Sequence, residues 1–238
     1  MGAEEEGLIG SSYYAENLSD EEASKIDVML DYDMLSSPNY ARLVYDGDGS
    51  EGDNPAGPEG SGTVEEVYRE WFASKRQPVV GIPFDGRSDY VGFTERGIPA
   101  GGVFAGAEGV KTENQERIFG GDAGSWYDPC YHQACDDITT VLTGVPPLEA
   151  TGLEFANPDA TDADKAVAAQ KMRGGSRRSM IELGAGATYA TWYFSSVRDP
   201  FGTGARTASI ARTTATKQAK KRARNAHSRF DGHKRLRR

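Results

Sequence analysis

The first ten residues carry the densest group of side chains that could do chemistry. Three consecutive carboxylates, Glu4, Glu5 and Glu6, stand between small residues and the apolar pair Leu8-Ile9. Acidic side chains favour the positive N-terminal end of a helix dipole, so such a run is typical of a solvated helix start. Taken alone, the run indicates no more than the beginning of an exposed helix.

Two later segments supply groups that complement these carboxylates. Asp31 and Asp33 close a strand-like run, and His132 lies in a loop bounded by cysteines. Carboxylates and a histidine delivered from separate loops are the ligand types that a zinc ion needs. A spare carboxylate beside them could activate a metal-bound water. Together the three segments predict a zinc site with a carboxylate base next to it.

In their order and spacing, these stretches resemble the secreted zinc aminopeptidases of family M28, the bacterial and fungal leucyl-aminopeptidase type. The resemblance covers residues 1–137. It rests on residues 2–5 and 7–11, 31–34 and 37–39, 86–90, 97–102, 106–109 and 128–132. Each segment alone is weak, and the combination is specific. The resemblance implies a peptide hydrolase that acts on substrates with a free N-terminus.

The resemblance also implies a site of two zinc ions and gives individual residues their roles. Glu4 matches the general base, Glu5 and His132 match ligands of one zinc, and Asp33 matches a ligand of the other. Tyr131 matches the tyrosine that stabilises the developing oxyanion. Without the flanking Cys130 and Tyr131, a lone loop histidine would be read as a surface histidine.

One alternative shifts the alignment by a single residue, which would make Glu5 the general base and Glu6 the zinc ligand. Residues 2–3 and 7–8 anchor the alignment against that shift.

Four further residues match positions near the family's substrate pocket. Arg87 and Asp89 belong to one such segment, although a structural salt bridge is the plainer account of this pair. Gly102 and Phe104 lie where the pocket for the first side chain of the substrate would be, and tight packing explains them equally well.

The ligand set departs from the family pattern. The family adds an upstream His and a bridging Asp, whereas the histidines of this sequence are His132, His227 and His233. A catalytic zinc normally takes about three protein ligands. We therefore expect an N-terminally truncated relative that is inactive or nearly so, from a secreted parent whose signal peptide is absent here. The alternative is a non-enzymatic remnant or binding protein of the same fold.

Cys130 and Cys135 are the only cysteines. Their spacing allows a small loop-closing disulfide, and two free thiols are the alternative. The family resemblance favours the bond, which implies an oxidising compartment. A zinc site made of cysteines alone would need more cysteines than the chain has.

The charge is unevenly distributed along the 238 residues. The net charge is −9, but the segment from Ala205 onward has twelve Lys and Arg and one Asp, so the rest carries −20. An acidic body with a basic tail is not the pattern of a dedicated nucleic-acid domain, and no apolar run is long enough to span a membrane. We predict a partial catalytic domain over residues 1–200 and a disordered basic tail over 201–238. A tail that binds nucleic acid or anionic membranes ranks last among the hypotheses.

Strands that alternate with helices predict an α/β sandwich with a largely parallel sheet. The resemblance implies the zinc-exopeptidase type of this fold, a three-layer sandwich with a mixed, largely parallel sheet, its N-terminal part missing. Capping boxes at Ser19 and Thr112 predict two helix starts, and Ser88 is predicted to cap a helix that Gly97 ends. The predicted strands are residues 26–32, 40–45, 77–84 and 101–104, with further helices after Thr63, over 162–172 and over 180–197.

The positions of two acidic segments follow from these elements. Asp33 should lie at the carboxyl edge of the sheet, where open α/β sheets bind ligands. Residues 46–50 superficially resemble a calcium loop, but they lack its terminal Glu and flanking helices, so they are predicted to form a turn-rich loop. The break at residues 173–178 is an insertion or a misread stretch.

Overall fold

The computed structural model describes residues 1–51, 55–143, 145–197 and 199–201. The predicted basic tail, with His227 and His233, lies outside these residues. Four short strands form one sheet: β1 (Met29–Asp31), β2 (Leu43–Tyr45), β3 (Val80–Ile82) and β4 (Ala100–Phe104). The described helices are α1 (Ile9–Asn17), α2 (Asp20–Ala23), α3 (Ser61–Ser74), α4 (Tyr90–Glu95), α5 (Glu113–Phe119), α6 (Ile138–Thr143), α7 (Asp162–Met172) and α8 (Gly175–Ser196).

The sheet is mixed, with strand order β1-β4-β2-β3. β1 pairs with β4 and β2 pairs with β3 in parallel, whereas β2 and β4 are antiparallel. The prediction of a mixed, largely parallel α/β sheet is therefore confirmed. Because β1 and β4 are parallel, their carboxyl ends meet at one edge of the sheet, and the loops that follow them begin there.

Helices cover both faces of the sheet. Alternate residues of β4 point to opposite faces: Val103 packs with Val64 and Leu183 in the core under α3 and α8, whereas Ala100 packs with Tyr90 of α4. α1 in turn packs on α4. Each large apolar side chain buried this way contributes about 1.5–3 kcal/mol, so the two-sided burial fixes the strands that support the edge.

The sequence predicted two of the three helix caps correctly. Ser19 and Thr112 both form complete capping boxes. The prediction for Ser88 is wrong, because α4 begins at Tyr90 and its N-terminus has no side-chain cap. The Ser88 hydroxyl donates instead to Asp33 Oδ2 at 3.3 Å.

The break before the last helix is shorter than predicted. α8 begins at Gly175, not at residue 180, after Gly174 in the left-handed region at φ 75°. A Cβ on Gly175 would lie 1.8 Å from the Pro38 carbonyl oxygen, so a glycine lets the helix start against the loop that follows β1.

Gly106 is expected to be the least replaceable glycine in the loop after β4. Its φ is +101°, and a Cβ there would lie 2.3 Å from Cγ of Tyr127. Gly106→Ala should lower the free energy of unfolding by roughly 2–4 kcal/mol, through backbone strain and a steric clash. Chemical denaturation measures this. Gly120→Ala is the matched control, because Gly120 also has a positive φ, +76°, but no atom within 4 Å of its Cβ position. Equal losses in the two variants would contradict the clash with Tyr127.

Candidate active site

The turn before α1 presents the Glu pair. The Leu8 amide donates to the Glu4 carbonyl at 2.7 Å, and the Gly10 amide donates to the Gly2 carbonyl at 3.0 Å. A Cβ on Gly10 would lie 2.2 Å from the Gly2 oxygen, so the loop closes this tightly only with glycine at position 10. The closed turn fixes the backbone of Glu4 and Glu5, while the Glu5 side chain stays two-thirds exposed.

The loop after β1 presents Asp33 at the carboxyl edge of the sheet. The next residue, Met34, has φ 53°, and its carbonyl accepts the Ala105 amide at 2.8 Å from the chain leaving β4. The loops after β1 and β4 are thus joined directly. Ser88, which lies just before α4, donates a side-chain hydrogen bond to Asp33.

The third segment of the site is the loop of Tyr131 and His132. The Asp128 amide donates to the Ala107 carbonyl at 2.8 Å, which ties this loop to the chain after β4. A disulfide between Cys130 and Cys135 closes the loop, as the resemblance implied. His132 adopts φ 56°, and its ring meets the Tyr131 ring edge-on at 4.0 Å between centroids.

The structure brings His132 and Glu5 together across 127 residues of sequence. His132 Nε2 lies 3.2 Å from Glu5 Oε2. Two ligand atoms about 2.0–2.2 Å from a tetrahedral zinc lie roughly 3.3 Å apart, so the pair has the donor types and spacing that a shared zinc requires. The same spacing equally suits a hydrogen-bonded ion pair.

Asp33 is not part of a three-ligand group with Glu5 and His132. Within the described ranges, one set of three acidic, His or Cys side chains has its ligand atoms all within 4.8 Å: Asp46, Asp48 and Glu65. Backbone amides already engage two of these carboxylates, since Gly47 donates to Glu65 Oε2 at 2.7 Å and residues 50 and 51 donate to Asp46. These hydrogen bonds within the turn explain why Asp46, Asp48 and Glu65 lie close together.

Carboxylates surround the Glu pair. Their negative charges repel one another, and a bound cation would relieve that repulsion. Burial first, and then the negative charges of Asp33, Glu5, Asp89 and Asp31, raise the pKa of Glu4. Burial is also the main reason that the pKa of Asp31 rises to about 6.

Two carboxylate oxygens of this cluster lack a partner. Asp31 Oδ2 and Asp89 Oδ1 are buried without a hydrogen bond to any described residue. Unpaired buried carboxylate oxygens are costly, and a metal cation would offset that cost. This donor chemistry fits zinc. The other oxygen of Asp89 meets the N-terminal ammonium of Met1 at 2.5 Å.

A cavity of about 330 Å³ adjoins Asp33 and Tyr131. Its apolar wall comes from the sheet and includes Leu43, Val80, Ile82 and Phe104, and its rim includes Arg87, Ser88 and Glu108. Phe104 thus lines this cavity, and its contact with the first side chain of a substrate stays a prediction. Gly102 does not line the cavity, because it lies inside the sheet, where a Cβ would be 1.8 Å from the Asp31 carbonyl oxygen.

Two residues near the site had no role in the sequence prediction. Ser88 was assigned to a helix cap, and Glu108 was only part of a matching segment, although it pairs with Arg87 Nη1 at 2.6 Å. The salt bridge expected for Arg87 thus exists with Glu108, and Asp89 is not its partner. A Glu in a Gly-bounded loop just after a strand was the one available signal for Glu108.

Loss of the disulfide is expected to loosen the histidine loop. Replacing Cys130 and Cys135 by Ser should lower the free energy of unfolding by about 2 kcal/mol, near the low end for native disulfides because the closed loop is short. Chemical denaturation of oxidised and reduced protein measures this. Reductant should have no effect on the Cys130→Ser, Cys135→Ser double variant, which serves as the control. A double variant as stable as the oxidised chain would contradict the expectation.

Similarity to known proteins covers the same part of the chain as the site. The family model described as Peptidase family M28 matches residues 1–145. A probable leucine aminopeptidase 2 of Aspergillus fumigatus is 49% identical over 139 residues, which are 58% of this chain and 28% of that protein. An aminopeptidase of Pseudomonas aeruginosa is 44% identical over 154 residues, or 65% of this chain and 28% of that protein. The chain therefore spans less than a third of the length of these relatives.

Among solved structures, a zinc aminopeptidase from Bacillus subtilis, called BSAP, aligns with a TM-score of 0.48 and 20% identity. The alignment covers 86% of this chain and 36% of that one. An aminopeptidase from Aneurinibacillus sp. strain AM-1 aligns with a TM-score of 0.40 and 21% identity, over 81% of this chain and 31% of that one.

Proposed function

The chain belongs to peptidase family M28, and from that membership and its site we propose that it carries part of the machinery of a metal-dependent aminopeptidase. The reaction is hydrolysis of the N-terminal residue from a peptide through a site of two zinc ions. The observation that carries this proposal is the 3.2 Å approach of His132 Nε2 to Glu5 Oε2 beside Glu4.

The proposed ligands are Glu5 and His132 for one zinc and Asp33 for the other. Bound zinc supplies Lewis-acid chemistry, which polarises a carbonyl and lowers the pKa of water. Asp33 would be held for this role by the Ser88 hydroxyl. The resemblance gives the family two upstream ligands that the described residues do not provide, so this chain is expected to bind zinc weakly.

Glu4 is the proposed general base. Its pKa lies above the ordinary value because burial and the neighbouring carboxylates disfavour its ionised form. A base with a raised pKa accepts a proton more readily from water attacking the scissile carbonyl. The Tyr131 hydroxyl would donate a hydrogen bond to the oxygen that becomes negative. Burial first, followed by the opposing effects of Arg87 and of the charges of Glu108, Glu5 and Asp33, leaves the pKa of Tyr131 raised, so it remains a donor at neutral pH.

The proposed substrates are peptides with a free N-terminus. The carboxylates around Glu4 would attract the substrate ammonium, and the apolar wall of the cavity would accept the first side chain. The proposed location of the parent protein is extracellular, which the disulfide supports because disulfides persist in oxidising compartments. No described helix has the length and apolar character needed to cross a membrane.

A second candidate is a non-catalytic protein of the same fold. One observation favours it: at this site no three acidic, His or Cys side chains of the described residues have their ligand atoms within 4.8 Å of one another. Zinc analysis of the purified chain, with assay of leucyl-p-nitroanilide hydrolysis at added zinc, separates the two. Zinc-dependent hydrolysis supports the peptidase. Bound zinc without hydrolysis is the result expected of an incomplete peptidase site, whereas neither zinc nor hydrolysis supports the non-catalytic protein.

A further inference from the structure

Glu108 lies on a segment whose backbone is fixed on both sides. The residue before it, Ala107, accepts the Asp128 amide at 2.8 Å, and the residue after it, Gly109, accepts the Tyr127 amide at 2.9 Å. These two bonds join the loop after β4 to the chain that leads into Cys130. The backbone of Glu108 is therefore set by the same contacts that place the histidine loop.

The Glu108 carboxylate makes one strong contact and has a second oxygen to spare. Arg87 Nη1 donates to Oε1 at 2.6 Å, whereas Oε2 is buried and has no hydrogen-bond partner among the described residues. Burial opposes the charge, but the hydrogen bond from Arg87, a backbone hydrogen bond and the charges of Arg87 and His132 lower the pKa of Glu108. The pair is therefore a charge-assisted hydrogen bond, the stronger class.

Arg87 is otherwise poorly held. Its side chain is 56% exposed, and the contact with Glu108 is its one ion pair within the described chain. A guanidinium carries five N–H donors, so one contact to Glu108 leaves several for another partner. Without that contact an exposed arginine would sample many rotamers, because long flexible side chains lose considerable entropy when fixed.

Arg87 supplies a positive charge to a cavity whose other charged lining, among the described residues, is acidic. Of the described residues that line the cavity, Arg87 is the one basic side chain, and Asp33, Asp85 and Glu108 are acidic. A peptide has an ammonium at its N-terminus and carbonyl or carboxylate oxygens beyond the first peptide bond. Carboxylates suit the ammonium, and a planar guanidinium suits the oxygens because its N–H groups match oxygen pairs.

We propose that Glu108 is a positioning residue, which holds Arg87 at the cavity rim so that the guanidinium binds peptide oxygens beyond the scissile bond. The inference rests on the proposed function for its substrate class, a peptide rather than a single amino-acid derivative. Glu108 contacts Arg87 through Oε1. Its removal should therefore act on substrate binding through Arg87.

The test compares two ligands in the full chain with zinc present: a leucyl tripeptide amide, and leucyl anilide, which has no oxygen beyond the scissile bond. Glu108→Ala and Arg87→Ala should each raise the Kd and KM for the tripeptide by about 3- to 10-fold, the size of an ordinary hydrogen bond, because the site is partly exposed. The anilide should lose less affinity than the tripeptide, because it offers Arg87 no oxygen beyond the scissile bond. NMR titration gives Kd and steady-state kinetics gives KM.

Three further variants sharpen the comparison. The double variant should bind the tripeptide as Arg87→Ala does, because Glu108 acts through Arg87 and the effects are not additive. Glu108→Gln, which keeps the side-chain volume, should show a smaller loss in the same direction. Glu21→Ala is the matched control, since it removes an exposed carboxylate paired with Lys25 outside the cavity lining.

The outcomes separate this inference from the proposed function. Equal losses for both ligands, or additive losses in the double variant, overturn the role of Glu108 while the peptidase proposal stands. Selective weakening of tripeptide binding in a chain that neither binds zinc nor hydrolyses the peptide supports the role of Glu108 and removes the peptidase proposal. A chain that binds neither ligand overturns both.

Discussion

Replacing His132 by alanine is expected to lower the affinity of the chain for zinc by at least about 100-fold. Loss of a residue that merely supports a ligand typically costs 10–100-fold, so loss of the imidazole itself should cost more. Glu5→Gln should have a comparable effect, because Glu5 Oε2 is the second donor of the pair. Competition with a chelating dye measures the affinity.

The chain offers a matched control for this first prediction. Glu6 is adjacent to Glu5 and exposed, and it has no role in the proposed site. Glu6→Gln should leave the zinc affinity within about twofold of the unaltered chain, while changing the charge as Glu5→Gln does. If Glu6→Gln weakened zinc as much as Glu5→Gln, the effect would come from charge alone, or the register of the Glu pair would be shifted by one residue.

Replacing Glu4 by glutamine is expected to lower the residual zinc-dependent kcat of the chain by about 10²- to 10⁴-fold, the usual contribution of a general base. Glutamine keeps the shape of the side chain but accepts no proton. Because Glu4 is not a proposed ligand, zinc affinity should not fall, and KM should change little. Stopped assays of peptide hydrolysis at saturating zinc, with a zinc titration of the same sample, measure both quantities.

A Glu4→Gln variant that keeps more than a third of the activity would contradict the assignment of the general base. Glu6→Gln is again the control and should keep full activity. A parallel loss of zinc and activity in Glu4→Gln would instead make Glu4 a ligand, and would move the base to another carboxylate, such as Asp31, whose pKa burial raises to about 6.

Local signals in the sequence predicted the elements that depend on local chemistry. The capping boxes at Ser19 and Thr112 involve residues three apart, so each is complete within one turn of chain. The first three strands were predicted too long, because the apolar pattern continues past the last ladder hydrogen bond, whereas β4 begins one residue earlier than predicted. The break before α8 was placed wrongly because Gly175 is required by a contact with distant Pro38.

Long-range contacts explain what sequence reasoning missed at the site. Ser88 looks like a helix cap until Asp33, 55 residues earlier, is placed beside its hydroxyl. Lys111, which had no role in the sequence prediction, is buried and donates to the carbonyls of Asn39 and Tyr40 at 3.2 and 2.7 Å. The partners of both residues lie far away in sequence, and no local pattern identifies them. The pairing of His132 with Glu5 rested on family resemblance and not on periodicity.

Glu5 and His132 are proposed to hold one metal ion between them. Anomalous diffraction at the zinc edge, from crystals of the chain grown with zinc, locates that ion. We expect a peak about 2.0–2.2 Å from both Glu5 Oε2 and His132 Nε2. A peak at Asp46, Asp48 and Glu65 instead, with none between Glu5 and His132, would contradict it.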